Sequence, residues 1–166
     1  MNIKQAKEKY LNFHNRYATD NIWHIKPKVS ITDFTDTEKA YNIHIHYSVK
    51  EYFNAYYHDY ITGSCMTNIG NKYDGIVLLP VLPSTNIKSV SASYGFIQLL
   101  QAWVNESGST EYTPIGWSSY YGAEILVDNK TGKVKVCWND YDDLLTFEAD
   151  GLADLISKMA ESLVVS

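Results

Sequence analysis

The chain has 166 residues and a formal net charge of −5, with 45% hydrophobic and 20% charged residues, a composition typical of one folded globular domain. Two cysteines, Cys65 and Cys137, are too few for a disulfide framework and favour a reducing compartment. Residues 101–166 contain four basic and eleven acidic residues, which disfavours nucleic acid as a partner and favours a basic protein.

An apolar stripe at helical spacing predicts a helix over residues 2–18. Three lysines fall off this stripe, and residues 19–36 have no comparable pattern and predict an irregular segment. The stripe consists of Ile3, Ala6, Tyr10, Phe13 and Tyr17, and the three lysines are Lys4, Lys7 and Lys9.

No segment has the length or pattern of a targeting or membrane-spanning sequence. The first residues lack the apolar core of a secretion signal. The longest apolar run covers residues 76–83, whereas a bilayer-spanning helix needs roughly 20 residues. A cytoplasmic location is therefore expected.

Residues 38–63 predict two helical segments in succession. The first should end near Asn42. The second should begin at Ser48, because Ser48 and Glu51 have the spacing of a capping box, in which the two residues satisfy each other's backbone N–H groups. Gly63 is the predicted end of the whole segment.

The middle of the chain predicts two strands and a helix. Residues 64–69 and 75–82 have strand composition, and Pro80 suggests that the second strand ends or bulges there. Residues 87–103 place Ile87, Val90, Tyr94, Ile97 and Leu100 on one helical face, with Gly95 inside the helix.

The last third predicts a strand, a hairpin and a helix. Residues 113–117 form the strand. Glu124–Asp128 and Lys133–Trp138 form the hairpin, whose turn ends in Gly132, a residue that tolerates positive φ. The closing helix has the apolar residues Leu152, Leu155, Ile156, Met159 and Leu163 on one face. This order of elements predicts a single α+β domain over residues 1–166.

Few residues suggest catalysis. His44 and His46 would share a face on a strand and could bind zinc with His58 or Cys65 as a third ligand. However, their spacing matches no zinc signature, and surface histidines are the commoner case. Neither cysteine has an evident base beside it, and residues 70–75 lack the ending of a phosphate-binding loop. We therefore expect no enzymatic activity, no metal and no cofactor, with a zinc enzyme using His44 and His46 as a remote alternative.

An acidic run lies in what should be a polar connection between the hairpin and the last helix. Asp140, Asp142 and Asp143 place three carboxylates within four residues, at a cost in mutual repulsion. They either keep the protein soluble or bind a basic partner, together with Glu148. For Asp150 a structural role at the N-terminus of the last helix is the better interpretation.

Three segments together resemble the SUKH superfamily. Residues 38–63, EKAYNIHIHYSVKEYFNAYYHDYITG, resemble a segment of that superfamily in which a helix is followed by Ile-x-Ile and then by a capped helix. The Syd branch has a similar helix rich in Phe and Tyr. Residues 113–134, TPIGWSSYYGAEILVDNKTGKV, resemble a later stretch through Ile115, Gly116, Gly122, Asp128 and Gly132. Residues 147–159, FEADGLADLISKM, resemble its C-terminal helix.

The resemblance implies a mixed, mostly antiparallel sheet with helices packed on it, and binding of a protein rather than catalysis. Many members of the superfamily are immunity proteins that neutralise bacterial toxins, often nucleases. Syd proteins instead bind cytosolic loops of the SecY translocon through an acidic concave face, which would place this chain at the membrane periphery. The segment after Trp103 lacks the charged stretch expected of Syd, so a toxin ranks first as the expected partner and SecY second.

Overall fold

Helices and strands alternate in blocks along the chain. The computed structural model describes residues 1–18, 23–66, 73–82, 95–118, 123–138 and 141–164. In chain order its elements are α1 (Ile3–Tyr17), β1 (Ile25–Lys26), α2 (Thr35–Tyr41), α3 (Tyr47–Asn54), β2 (Tyr57–His58), β3 (Ile61–Met66), β4 (Tyr73–Leu78), α4 (Phe96–Ser107), β5 (Tyr112–Ser118), β6 (Glu124–Asp128), β7 (Val134–Trp138), β8 (Tyr141–Ala149) and α5 (Leu152–Ser162).

Strands β3 to β8 form one sheet in which each strand pairs with its neighbours along the chain. Every pairing in the described part of the chain is antiparallel, including that of the two-residue strands β1 and β2 in a separate small sheet. The predicted α+β class is confirmed. None of the described helices is both long enough and apolar enough to cross a membrane.

The sheet is irregular at β5, where the pairing register with β6 shifts between Pro114 and Gly116. A side-chain Cβ at position 116 would lie 2.0 Å from the carbonyl oxygen of Val77 on the neighbouring strand. Only glycine therefore fits, and the bulge increases the local bend and twist of the sheet.

Helices α1 and α5 pack against each other, and their predicted apolar stripes are confirmed over most of their length. The stripe of α1 weakens towards its end, since Tyr17 is 38% exposed. Residues of the hairpin strands complete this core. The buried residues concerned are Ile3, Ala6 and Tyr10 of α1, Leu152, Leu155, Ile156 and Met159 of α5, and Ile125, Val127, Val134 and Val136 of β6 and β7.

The helix after Asn42 begins and ends earlier than predicted. The short helix α2 ends at Tyr41, with Asn42 as its C-cap at φ +49°, which confirms the predicted end near Asn42. However, His46 and not Ser48 is the N-cap of α3, because the imidazole nitrogen Nδ1 accepts the backbone N–H of Ser48 at 3.2 Å. The predicted capping box is therefore wrong. Helix α3 ends at Asn54, and Gly63 lies inside strand β3.

The predicted strands 64–69 and 75–82 and helix 87–103 are placed differently. Strand β3 begins at Ile61, β4 ends at Leu78 before Pro80, and α4 begins at Phe96. Gly95 is the N-cap of α4, with φ +84°, and not an interior residue. The predicted helical positions Ile87, Val90 and Tyr94 lie outside the described residues, as do residues 67–69.

The predicted polar connection before α5 is instead strand β8, which pairs with β7. Its later residues Leu144, Leu145 and Phe147 supply the apolar content of a strand, whereas the acidic residues at its start mask that pattern. The hairpin of β6 and β7 is confirmed, with φ +76° at Gly132.

Candidate binding surface

Three of the predicted acidic residues, Asp142, Asp143 and Glu148, lie at an edge of the six-stranded sheet. Asp142 and Asp143 are in β8, the strand at one end of the strand order, and Asp140 lies outside the described residues. Trp138 of β7 pairs with Tyr141, whereas its neighbour Cys137 pairs with Leu145. The residues of β8 between these two pairs, which include both aspartates, therefore form a bulge. Their backbone is therefore released from regular pairing.

Glu148 lies further along the same strand, opposite Lys135, and is exposed. Asp150 is also exposed, but it does not supply the carboxylate that hydrogen-bonds at the start of α5. The backbone N–H of Asp150 donates to Asp154 Oδ2 at 3.0 Å, and Lys158 forms an ion pair with the same oxygen at 3.0 Å.

The two histidines proposed for zinc are in different surroundings. They lie in the connection between α2 and α3 and not on a strand. The side chain of His44 is 89% exposed, with its Nδ1 3.6 Å from Glu38, whereas His46 is the N-cap of α3. In the described ranges, no group of three or more His, Cys, Asp or Glu residues is placed to hold a metal ion.

The ring of His46 connects the start of α3 to the hairpin turn. A Cβ on Gly132 would lie 2.4 Å from its Cε1 atom, so the ring packs directly on the bare glycine backbone. The backbone N–H of His46 donates to Asn129 Oδ1 at 3.3 Å, and Thr113 Oγ1 donates to the same oxygen at 2.7 Å. The start of α3, the hairpin turn and strand β5 are thus joined around His46, through its ring, its backbone N–H and Asn129.

The pKa of His46 is lowered, mainly by burial, although Asp128 and Glu51 oppose this effect and His44 reinforces it. A lowered histidine pKa means that the unfolded chain binds the proton more readily than the folded protein. Neutral His46 therefore makes its full contribution to stability above the ordinary histidine pKa near 6.5, and this contribution is lost as the pH falls below that value. Protonation of Nδ1 also removes the acceptor that caps α3.

We expect His46→Asn to reduce the pH dependence of stability, because asparagine can cap a helix but does not titrate. Thermal unfolding midpoints at pH 7.5 and pH 5.5 should differ less in the variant than in the native protein. His58 titrates in both proteins and therefore cancels in the comparison. His24→Ala, which removes an exposed histidine that does not act on His46, is the matched control and should preserve the pH dependence of the native protein. An identical pH dependence in His46→Asn would contradict the capping role.

A second cluster lies inside the core, where Lys7 is completely buried. Its Nζ donates to the carbonyl oxygens of Tyr52 and Ala55, the latter at 2.8 Å, and lies 4.1 Å from the centre of the Tyr52 ring. Burial, with a smaller effect of the Lys28 charge, holds the pKa of Lys7 well below its usual value. Although it falls off the predicted stripe, Lys7 is thus a core residue.

Lys28 approaches the same end of α3 from outside. Its Nζ donates to the carbonyl oxygen of Phe53 and to Asn54 Oδ1, the latter at 3.1 Å. Burial lowers the pKa of Lys28 to about 8. Lys7 and Lys28 together satisfy carbonyl groups that a helix C-terminus leaves without partners, at the negative end of its dipole.

His58 packs against this cluster with 3% of its surface exposed. Its Nδ1 donates to the carbonyl oxygen of Asp59 at 2.7 Å, which leaves the buried Nε2 as an acceptor with no partner among the described residues. Burial first, and then the charge of Lys7, lowers the pKa of His58 well below its usual value. Because the cluster is enclosed by the core, its role is to fix α1 against α3.

Cys65, considered above as a nucleophile or metal ligand, is also buried, with 7% of its surface exposed. Cys137 lies in β7, and its side chain is outside what the structure describes.

An open cleft lies between the start of α1, the segment after β1 and the second half of α3, and we call it the α1–α3 cleft. It has a volume of about 590 Å³. Lys4 Nζ lies 5.2 Å from the centre of the Tyr56 ring in its wall. The lining residues are Asn2, Ile3, Lys4, Pro27, Lys28, Glu51, Asn54, Ala55 and Tyr56.

Tyr56 in the wall of the α1–α3 cleft is hydrogen-bonded to α1. Its hydroxyl donates to Glu8, and this hydrogen bond raises the pKa of Tyr56 to about 12. A smaller recess of about 300 Å³ shares Asn2, Ile3 and Glu51 with the cleft and extends to His46 and Gly132. Amide, amine, carboxylate and apolar groups together suit this surface to packing and hydrogen bonding with another molecule.

The sequence patterns do not reveal this cleft, because it is assembled from separate segments and each segment contributes only a few residues. The one available signal is the length of the irregular segment 19–36, since long connections often carry function.

In comparison with known proteins, no protein-family model matches this chain, and no curated protein shows significant similarity to it. The resemblance to the SUKH superfamily therefore remains a prediction that depends on the residues quoted for it.

Proposed function

We propose that this protein is a non-catalytic, cytoplasmic immunity protein that binds and neutralises a basic bacterial toxin, with a nuclease as the expected class. The observation that carries the proposal is the charge of the C-terminal part, where residues 101–166 contain eleven acidic and four basic residues. Nuclease toxins bind nucleic acid and are basic for that reason, so an acidic inhibitor attracts them and occupies the surface that contacts phosphate.

The position of the acidic run supports this interpretation. Asp142 and Asp143 lie on an edge strand, in a bulged stretch, and the exposed Glu148 extends the negative charge along the same strand. Edge strands are accessible to other chains, and charged residues there oppose non-specific pairing of sheets. Carboxylates in such a position can select a basic partner by its charge.

The test is to replace Asp140, Asp142 and Asp143 together by lysine, which changes the local charge from −3 to +3. The neighbouring genes are examined first: a toxin gene beside this one supports the proposal and supplies the probe, whereas an isolated gene favours the Syd-like alternative. The measurement with that probe is the association rate against ionic strength. The variant should associate at least about tenfold more slowly at low salt. The complex of the native protein should weaken as salt rises, because salt screens exposed charges.

A matched control makes the same change of charge elsewhere. Asp36, Glu106 and Glu111 are exposed, and replacing these three by lysine separates a local effect from that of net charge. Circular dichroism confirms folding of both variants. Equal association rates for the native protein and the acidic-run variant, with no salt dependence, would show that this run only maintains solubility. Binding to SecY-containing membranes but not to the toxin would favour the Syd-like alternative.

A further inference from the structure

Two aliphatic side chains point into solvent from the loop that follows β1. Val29 is 92% exposed and Ile31 is 85% exposed, the highest values among the large hydrophobic residues that the structure describes. Ser30 between them faces the opposite way, with its Oγ 3.3 Å from the hydroxyl of Tyr57. We call residues 28–32 the Val29–Ile31 loop.

Hydrogen bonds fix both ends of this loop to the end of α3. At its start, Lys28 Nζ donates to Asn54 Oδ1, to the carbonyl of Phe53 and to Thr32 Oγ1. At its end, the backbone N–H of Thr32 donates to Asn54 Oδ1 at 2.7 Å, and Asn54 Nδ2 donates to the Thr32 carbonyl at 3.3 Å. The loop is closed on itself and attached to a helix, so the two side chains are held outward.

Such an arrangement favours contact with another surface. Exposed aliphatic side chains gain free energy when they are buried, and a loop that is already ordered loses little entropy on binding. Two such residues on one rigid loop therefore have the properties of an interface anchor.

The α1–α3 cleft lies directly beside this anchor, since Pro27 and Lys28 line the cleft and Val29 is the next residue. Its volume of about 590 Å³ accommodates two aliphatic side chains. Pro27, Ala55 and the ring of Tyr56 give it apolar contact surface. A projecting anchor and a receiving cleft thus adjoin on one face of the molecule.

We propose that two copies of this chain associate through this face as a two-fold symmetric dimer, in which the Val29–Ile31 loop of each copy enters the α1–α3 cleft of the other. A two-fold interface uses the same patch on both subunits, so it requires a surface complementary to itself. An adjoining anchor and cleft meet that requirement.

The charges on this face are compatible with a second copy. Lys4, Lys26 and the half-buried Lys28 contribute positive charge, while Glu51 and Asp33 contribute negative charge. Charges of both signs therefore adjoin on each copy, and a two-fold axis can bring opposite charges of the two copies together. An anionic membrane is a poorer match, because it attracts predominantly basic surfaces. The dimer does not depend on toxin binding, which we assign to β8.

The test is sedimentation velocity over concentrations from ~1 to ~500 µM, with the native protein alone. We expect a reversible equilibrium of monomer and dimer, with a dissociation constant on the order of 100 µM, because the contact is small. Val29→Asp combined with Ile31→Asp should weaken dimerisation at least about tenfold, since it places carboxylates at the centre of the contact. Val164→Asp, at another exposed aliphatic position, is the matched control and should not weaken it.

Cross-linking tests the geometry independently. Ile31→Cys and Glu51→Cys are made as separate variants, each combined with Cys137→Ser. The introduced cysteine is then the one available for oxidation, because Cys65 is buried. Mixing the two variants under mild oxidation should give a disulfide between copies that neither variant forms alone in comparable yield. A single monomeric species at ~500 µM overturns the proposal. So does a dimer that the two aspartates leave unchanged, or a mixture without the cross-link.

Discussion

Replacing Lys7 by alanine is expected to lower the free energy of unfolding by about 3–5 kcal/mol, the largest loss expected for any lysine described above. The aliphatic part of this side chain lies in the core between α1 and α3, so its removal leaves a cavity. Its amine also donates to the carbonyls of Tyr52 and Ala55, which would lose these hydrogen bonds. Urea denaturation followed by circular dichroism measures the loss.

Two further variants separate the causes. Lys7→Met keeps most of the packing but removes both hydrogen bonds, and it should therefore cost less than Lys7→Ala. Lys4→Ala removes an exposed lysine from the same helix and should change the free energy of unfolding by no more than about 0.5 kcal/mol. If Lys7→Ala and Lys4→Ala had similar effects, the enclosed position of Lys7 would be disproved.

The second large effect is expected at Gly132, where valine should lower the free energy of unfolding by about 3–4 kcal/mol. The residue has φ +76°, a conformation in which a β-branched side chain is strained. Its Cβ would also lie 2.4, 2.9 and 3.0 Å from three atoms of the His46 ring. The ring would have to move, and α3 would then lose its N-cap.

A double-mutant cycle with His46→Ala tests this mechanism. Without the imidazole there is space above residue 132, so Gly132→Val should cost at least about 1 kcal/mol less in the His46→Ala background than in the native protein. The cost that remains measures the strain at positive φ. Equal costs in the two backgrounds would mean that the ring does not pack on the glycine.

Strong local patterns allowed α1, the hairpin and α5 to be predicted from the sequence. Each has apolar residues at a regular spacing, so that burial of one face determines its orientation. The hairpin turn also requires a residue such as Gly132 that tolerates positive φ. Lys7 shows the limit of this approach. A helical stripe assigns lysine to solvent by residue type, whereas the end of α3 offers carbonyl acceptors that only the tertiary structure brings near.

The errors elsewhere have similar causes. Ser48 and Glu51 match a capping box, but His46, two residues earlier, already supplies an acceptor for the same backbone. The sequence of strand β8 predicts a connection, because its acidic residues come first and its apolar residues do not alternate regularly; the bulge in its pairing with β7 explains that irregularity. The α1–α3 cleft had no sequence pattern at all, since its walls come from different parts of the chain.

We expect the packing of α1 against α5 to affect how the protein folds during synthesis. Each strand of the sheet pairs with one made shortly before or after it, so the sheet can form progressively as the chain leaves the ribosome. Helix α1 is made before the sheet, but its partner α5 follows more than a hundred residues later. Until then the apolar side of α1 that α5 will cover remains exposed. Chaperones that recognise apolar helices should therefore bind nascent chains that end before α5 in preference to the complete domain.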